Sequence, residues 1–146
     1  MSRDAYIEKQ WTTCSGLQAI VVAVLWEQDK LFRWGYVEVP VGHPLYKKHC
    51  HEVAPYVDVH GGLSFAGSSE ELGIEGSSGW WFGFDASPGY GIIDRNAPWR
   101  TWYGLQHEPR QLEYVAEQCE YLAWQLRELG EMWAAFLAGF PIPRAS

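Results

Sequence analysis

The sequence predicts an α+β fold in which an antiparallel β-sheet of about four strands is packed by one long C-terminal α-helix. The segments LQAIVVAVLW and LFRWGYVEVP are rich in β-branched and aromatic residues, which favour β-strands. Towards the C-terminus, apolar residues instead recur every three or four positions, as they do along one face of an amphipathic helix. A group of strands followed by a helix is typical of the α+β class.

Length and composition indicate a single domain over residues 1–146. The composition is 47% hydrophobic and 20% charged, which excludes a wholly disordered chain. Nine tryptophans are unusual for this length. Because so many large rings cannot all be buried in one small domain, we expect some of them at a ligand or partner surface.

Net charge and cysteine content limit the classes of partner and the cellular compartment that we expect. A net charge of −7 with scattered Lys and Arg residues argues against binding to a nucleic-acid polymer. Three cysteines without a C-x-x-C motif favour a reducing cytoplasm. No signal peptide is visible, and the longest apolar run is about half of a membrane span, so no membrane association is expected.

The predicted sheet and its loops cover about residues 11–107. The first two strands are separated by the polar residues EQDK, which predicts a hairpin. In the second strand of this hairpin, Trp34 and Tyr36 lie on the same, aromatic face. YVDVHGGLSF predicts a third strand that breaks at Gly61 and Gly62, and WWFGFD predicts a fourth that ends at Asp85.

Two connecting segments are predicted to be loops. Residues 66–79 are rich in Ser, Gly and Glu, which predicts an exposed, mobile loop. Residues 86–107 combine glycine and proline breaks with four aromatic residues and show no periodicity. Loops of that length are uncommon unless they are functional, so this segment is a candidate surface for a protein partner.

The final helix is predicted over about residues 109–138. Its apolar stripe consists of Leu112, Val115, Cys119, Leu122, Leu126, Leu129, Trp133 and Leu137. One interpretation is that this stripe packs on the sheet. The alternative uses the heptad spacing, together with Tyr114, Tyr121 and Trp124 on a flanking face, for a homo-oligomer formed through the helix.

Several polar residues are candidates for a site. Asp58 and His60 share a strand face, so the carboxylate is placed to orient the imidazole. The alternative is that His60 caps a turn that the glycines permit. No catalytic residue is assigned, because Ser64 lies outside any G-x-S-x-G motif that would supply a nucleophile. His43 lies in a proline-fixed loop beside Tyr46, and Asp85 ends an apolar strand, where it caps the strand or binds a ligand.

The tetrapeptide HCHE is the strongest metal signal in the sequence. In an extended segment His49 and His51 would point to one side and share a metal ion. No second pair of closely spaced ligands accompanies them, and a polar loop explains the same residues. No cofactor is therefore expected, and a divalent metal is retained as the alternative.

The motifs GYVEVPVGHPLY, DVHGGLSF and WWFGFD, in this order, resemble those of a family of small uncharacterised bacteriophage and prophage proteins. The resemblance covers roughly residues 11–85. It places His43, Tyr46, His60, Trp81 and Asp85 on family-motif positions, along with Pro44, Gly61 and Gly62. Two departures are evident: Lys47 replaces a glycine, and ASPGYG lacks the cysteine, histidine and acidic residue that commonly follow the last motif. If those residues form a metal or catalytic site in the family, this chain has lost part of it.

The leading hypothesis is an accessory protein that binds a small polar, nucleotide-like ligand and thereby counters host defence, the latter being implied by the phage resemblance. The predicted ligand-binding residues are Trp34, His43, Tyr46, Asp58, His60, Gly61, Gly62, Trp81 and Asp85. The alternatives are an inhibitor that contacts a host enzyme, and a metal-dependent hydrolase with His43, His60 and Asp85 as ligands.

Overall fold

The computed structural model describes residues 4–26, 30–86 and 112–139 of the chain. In chain order the elements are β1 (Asp4–Thr12), β2 (Gln18–Trp26), β3 (Lys30–Val39), α1 (Cys50–Val53), a 3-10 turn (Ala54–Tyr56), β4 (Phe65–Ser68), β5 (Trp80–Asp85) and α2 (Leu112–Leu137). The predicted aromatic segment 86–107 lies outside the described residues except for its first residue, as do the first residues of the predicted helix.

The strands form one antiparallel sheet in the order β1-β2-β3-β5-β4. This arrangement confirms the α+β prediction and the β2–β3 hairpin, although the sheet has five strands where about four were expected. Strand β1 was missed because it is an edge strand. It pairs with β2, its register shifts between Ile7 and Lys9, and Ile7 is 46% exposed. Edge strands with polar residues and bulges lack the apolar pattern that identifies inner strands.

Helix α2 packs along β2 and β3 and buries the predicted apolar stripe from Val115 to Leu129, whereas Leu137 at its end is exposed. The buried residues of the helix are Val115, Ala116, Cys119, Leu122, Ala123, Leu126, Leu129 and Gly130. Its last turn extends beyond this core, where Phe136 is 61% exposed and Leu137 is 75% exposed. In the described ranges, no helix is both long enough and apolar enough to cross a membrane.

The opposite sheet face carries a second, smaller core. Ile20, Tyr36 and Trp81 are buried there, and Leu72 and Ile74 pack against them. Leu72 and Ile74 both belong to residues 66–79, which were predicted to form an exposed, mobile loop. Ser69 in the same segment is only 2% exposed, so this loop covers part of the sheet. Its few apolar side chains were overlooked because the Ser, Gly and Glu around them dominate the composition.

The predicted third strand is instead an extended segment held by side chains of α2. Gln125 accepts a hydrogen bond from the Asp58 amide at 2.6 Å and donates one to the Asp58 carbonyl at 2.7 Å. Gln118, two helical turns earlier, accepts from the His60 amide at 2.8 Å. Of YVDVHGGLSF, only Phe65 belongs to a strand. The two glutamines supply hydrogen bonds that a neighbouring strand would otherwise provide.

Substitution of either glutamine by alanine is expected to expose one amide selectively. In Gln125→Ala the Asp58 amide should exchange with deuterium about tenfold faster, and in Gln118→Ala the His60 amide should do so. Each variant serves as the control for the other, and residue-resolved hydrogen exchange measures both. Equal acceleration of hydrogen exchange at both amides in either variant would contradict this prediction, because it would show that the segment opens as one unit.

Candidate functional site

His43 and Tyr46 lie in the loop after β3, where their hydrogen bonds are made within the protein. His43 Nδ1 accepts a hydrogen bond from the Leu45 amide at 3.0 Å. The ring rests against α2 at Gly130, where a Cβ atom would collide with it. Tyr46 donates its hydroxyl to the Ser78 carbonyl at 3.2 Å. These contacts join the loop to the helix and to the segment before β5.

The pKa of His43 is lowered by burial, and a hydrogen bond with the Leu126 backbone offsets part of this effect. The unfolded chain binds the proton near the ordinary pKa of 6.5, whereas the folded protein binds it only at lower pH. Folding stability is therefore complete above that value and falls as the pH drops towards the folded pKa, because the unfolded state then holds the extra proton.

Urea unfolding of the wild type and His43→Gln at about pH 7.5 and about pH 5.5 tests this titration. We expect the wild type to lose more stability between these pH values than the variant does. The exposed His51 provides a matched control, since His51→Gln makes the same substitution and leaves the His43 ring in place. An unchanged slope in His43→Gln would contradict the assignment.

The DVHGGLSF segment forms a turn beside the end of β5. Gly61 and Gly62 have φ values of +71° and +79°, in the left-handed region that favours glycine. The Gly62 amide donates to the Val59 carbonyl at 2.8 Å, and a Cβ atom on Gly61 would lie 3.4 Å from the Asp85 carbonyl oxygen. Backbone geometry thus accounts for both glycines, and Asp58 is held through its backbone with an exposed side chain.

His60 contacts the first part of α2, far from His43. Its Nδ1 atom is hydrogen bonded to the Tyr114 hydroxyl at 2.9 Å, with the two rings edge to face. His43 instead packs at Gly130, sixteen positions further along the same helix. At roughly 1.5 Å per residue this separation is about 24 Å. The geometry therefore does not support a metal site that includes both histidines.

The HCHE residues lie at α1. His49 precedes the helix and His51 is inside it, and their rings stack at a centroid distance of 5.5 Å and an angle of 8°. Within the ranges that the structure describes, no group of three or more His, Cys, Asp or Glu residues is arranged to hold a metal ion.

Trp81 and Trp34 lie on the same sheet face but differ in accessibility. Trp81 is 1% exposed, and its indole N–H donates to Ser69 Oγ at 2.8 Å. It therefore offers no surface to a ligand in this conformation. Trp34 is half-buried and pairs in register with Asp85 across β3 and β5.

Trp34 and Asp85 line an open cleft of about 240 Å³ on this face. The lining residues are Trp34, Tyr36, Ser64, Phe65, Phe84 and Asp85. Tyr36 and Phe65 meet edge to face with ring centroids 5.5 Å apart. Gly83 makes room for the Tyr36 ring, because a Cβ atom there would collide with it.

The cleft combines aromatic rings with one carboxylate. Burial, followed by the negative charge of Asp85, raises the pKa of Tyr36 to about 12, so its hydroxyl stays protonated at neutral pH. Among the described residues that line the cleft, Asp85 is the only acidic one, and none is Lys or Arg. The cleft is therefore suited to an apolar ring that carries a hydrogen-bond donor or a positive charge.

Of the predicted ligand-binding residues, the structure brings Trp34 and Asp85 together in the cleft. Tyr36 had been placed on the aromatic face of its strand but was not assigned to a site. Ser64 and Phe65 were missed because their position depends on the pairing of β4 with β5, where Phe65 lies opposite Gly83. Nothing in the local sequence specifies that register.

No family model, curated protein or solved structure matches the chain. The resemblance to phage proteins stays a prediction, and the functional argument rests on the geometry of the cleft.

Proposed function

We propose that this protein binds a small nucleotide-like ligand through its ring, which stacks against Trp34 while an amino group donates to Asp85. The supporting observation is the position of Asp85 within a cleft whose other walls are largely aromatic. A volume of about 240 Å³ is suited to one ring system rather than to a complete dinucleotide. Stacking of a base on an aromatic side chain contributes roughly 1–3 kcal/mol.

A phosphate group would remain outside the cleft. No lining residue that the structure describes is cationic, one of them is the acidic Asp85, and the chain has a net charge of −7. Recognition therefore depends on the base and its exocyclic groups. This is a more specific ligand class than the sequence predicts, because it separates ring recognition from phosphate recognition.

The resemblance to phage proteins bears on where such a protein would act and on the origin of its ligand. It implies an accessory protein in the cytoplasm of an infected host, which sequesters a nucleotide-like signal of the host defence. Sequestration requires binding without turnover, and no catalytic residue is assigned.

Thermal shift and calorimetry with matched nucleosides test the proposal. Adenosine and cytidine carry amino groups that inosine and uridine replace with carbonyl oxygens, so the first two should stabilise the protein more. Asp85→Asn and Trp34→Leu should each weaken adenosine binding by about tenfold or more. Trp124→Leu, which alters a half-exposed tryptophan on α2 away from the cleft, should leave binding unchanged.

Adenosine monophosphate provides a further comparison, because it should bind no more tightly than adenosine. Failure of all four nucleosides to stabilise the protein at saturating concentrations would count against the proposed ligand class. Tighter binding of the phosphorylated compound, with no effect of Asp85→Asn, would place recognition elsewhere on the protein.

A further inference from the structure

A second concave surface lies at the C-terminal end of α2, apart from the aromatic cleft. Its volume is about 350 Å³, and its lining residues are Pro44, Lys48, Trp133, Phe136 and Leu137. Tyr56 borders it, with its ring edge to face against Trp133 at a centroid distance of 6.4 Å. These residues are called the helix-end groove below.

The helix-end groove exposes several large apolar side chains together. Tyr56 is 63% exposed, Phe136 is 61% exposed and Leu137 is 75% exposed. Single exposed apolar residues are normal, but a contiguous group beside a concavity is characteristic of an interaction surface. Aromatic side chains at such surfaces commonly contribute most of the binding free energy.

One lysine, Lys48, gives the groove a charge opposite to that of the whole chain. Lys48 Nζ lies 5.4 Å from the centroid of the Trp133 ring, and the exposed Lys47 lies over Tyr46. Within the described part of the chain neither lysine is ion-paired, whereas Arg33 pairs with Glu8 and Arg127 with Glu131. The groove thus presents one cation, Lys48, without an ion-pair partner among the described residues, on a protein of net charge −7.

We propose that the helix-end groove docks an acidic, apolar segment of another protein. One large apolar side chain of the partner enters between Trp133, Phe136 and Leu137, and a flanking carboxylate pairs with Lys48. Opposite charge on the partner favours encounter and suppresses wrong partners. An anionic bilayer is a poorer match, because one lysine falls short of the roughly four to eight basic residues typical of such sites.

Selection from a random library of displayed short peptides tests both parts of this proposal. The full chain is the target, and peptides that also bind Phe136→Ser are removed. The remaining sequences should combine Phe, Trp or Leu with a nearby Asp or Glu residue. Synthetic versions should bind the wild type and lose about tenfold or more in affinity with Phe136→Ser or Leu137→Ser.

Lys48→Gln should weaken the same peptides and reduce the dependence of their affinity on salt. Trp124→Ser is the matched control, because it removes another exposed aromatic ring of α2 outside the groove and should leave affinity unchanged. Thermal unfolding of each variant establishes that these exposed positions do not alter the fold.

Several outcomes would overturn the proposal. Selected peptides with a neutral or basic consensus would exclude an acidic partner. The proposal would also fail if no selected peptide depended on Phe136 for binding. A dimer that Phe136→Ser dissociates would identify a second copy as the occupant. Peptide binding that requires deletion of residues 140–146 would identify the chain's own terminus. Groove-dependent sedimentation with phosphatidylserine vesicles, in the absence of peptide binding, would identify a membrane.

Discussion

Substitution of Trp81 by alanine is expected to lower the free energy of unfolding by about 3–5 kcal/mol. Trp81 is 1% exposed, packs with Ile20 and Tyr36 on the second sheet face, and donates its indole N–H to Ser69. Its removal would leave a cavity and also deprive the buried Ser69 hydroxyl of a donor. For a domain of this size, each kcal/mol corresponds to about 2–4 °C in Tm, so urea and thermal unfolding both resolve the effect.

Trp34→Ala is the matched control for Trp81, since it removes a half-buried tryptophan from the same sheet face. It should reduce stability by about 1 kcal/mol but abolish most of the nucleoside binding. The two variants thus separate a structural tryptophan from one that contacts ligand. The reverse pattern, in which Trp81→Ala retains stability but loses binding, would contradict the buried position of Trp81.

Gly35→Ala is expected to destabilise the protein by about 3 kcal/mol, at the upper end of the range for overpacked cores. Gly35 lies on β3 beneath α2, where a Cβ atom would collide with the Phe84 ring and lie 2.7 Å from Cys119 Sγ. Phe84 and Cys119 are both buried, so neither can move into solvent. The added methyl group would therefore push the helix away from the sheet.

Gly67→Ala is the comparison for Gly35, because it also adds a methyl group to a strand. Its new Cβ would meet the ends of Phe65 and Glu71, and Glu71 is exposed and free to move aside. We expect a loss of less than about 1.5 kcal/mol, measured by urea unfolding. The double variant Gly35→Ala/Phe84→Leu should be more stable than the sum of the single effects, since the smaller side chain relieves the collision. Strictly additive effects of the two substitutions would contradict a collision with Phe84 as the cause of the destabilisation.

Elements with strong local patterns were predictable from the sequence. The apolar run of β2, the alternation of β3, the WWFGFD strand and the stripe of α2 each carry a periodicity that matches their final packing. The sequence also identified Trp34 and Asp85, an aromatic residue and a strand-terminal carboxylate, as candidate ligand contacts. Periodicity reports which face of an element is buried, but it does not report which element lies opposite.

The sequence by itself determined the α+β class, the hairpin and the helix that covers it, because hydrophobic periodicity is a local property of the chain. The tertiary structure alone decided how the candidate residues were distributed. It placed Gln118 and Gln125 where they hold the DVH segment without strand pairing, and it buried Trp81 while leaving Trp34 accessible. It also joined Asp85 to Phe65 in one cleft. These outcomes depend on register and on contacts between distant segments, since the same residue types are compatible with several arrangements until the strands and α2 pack together.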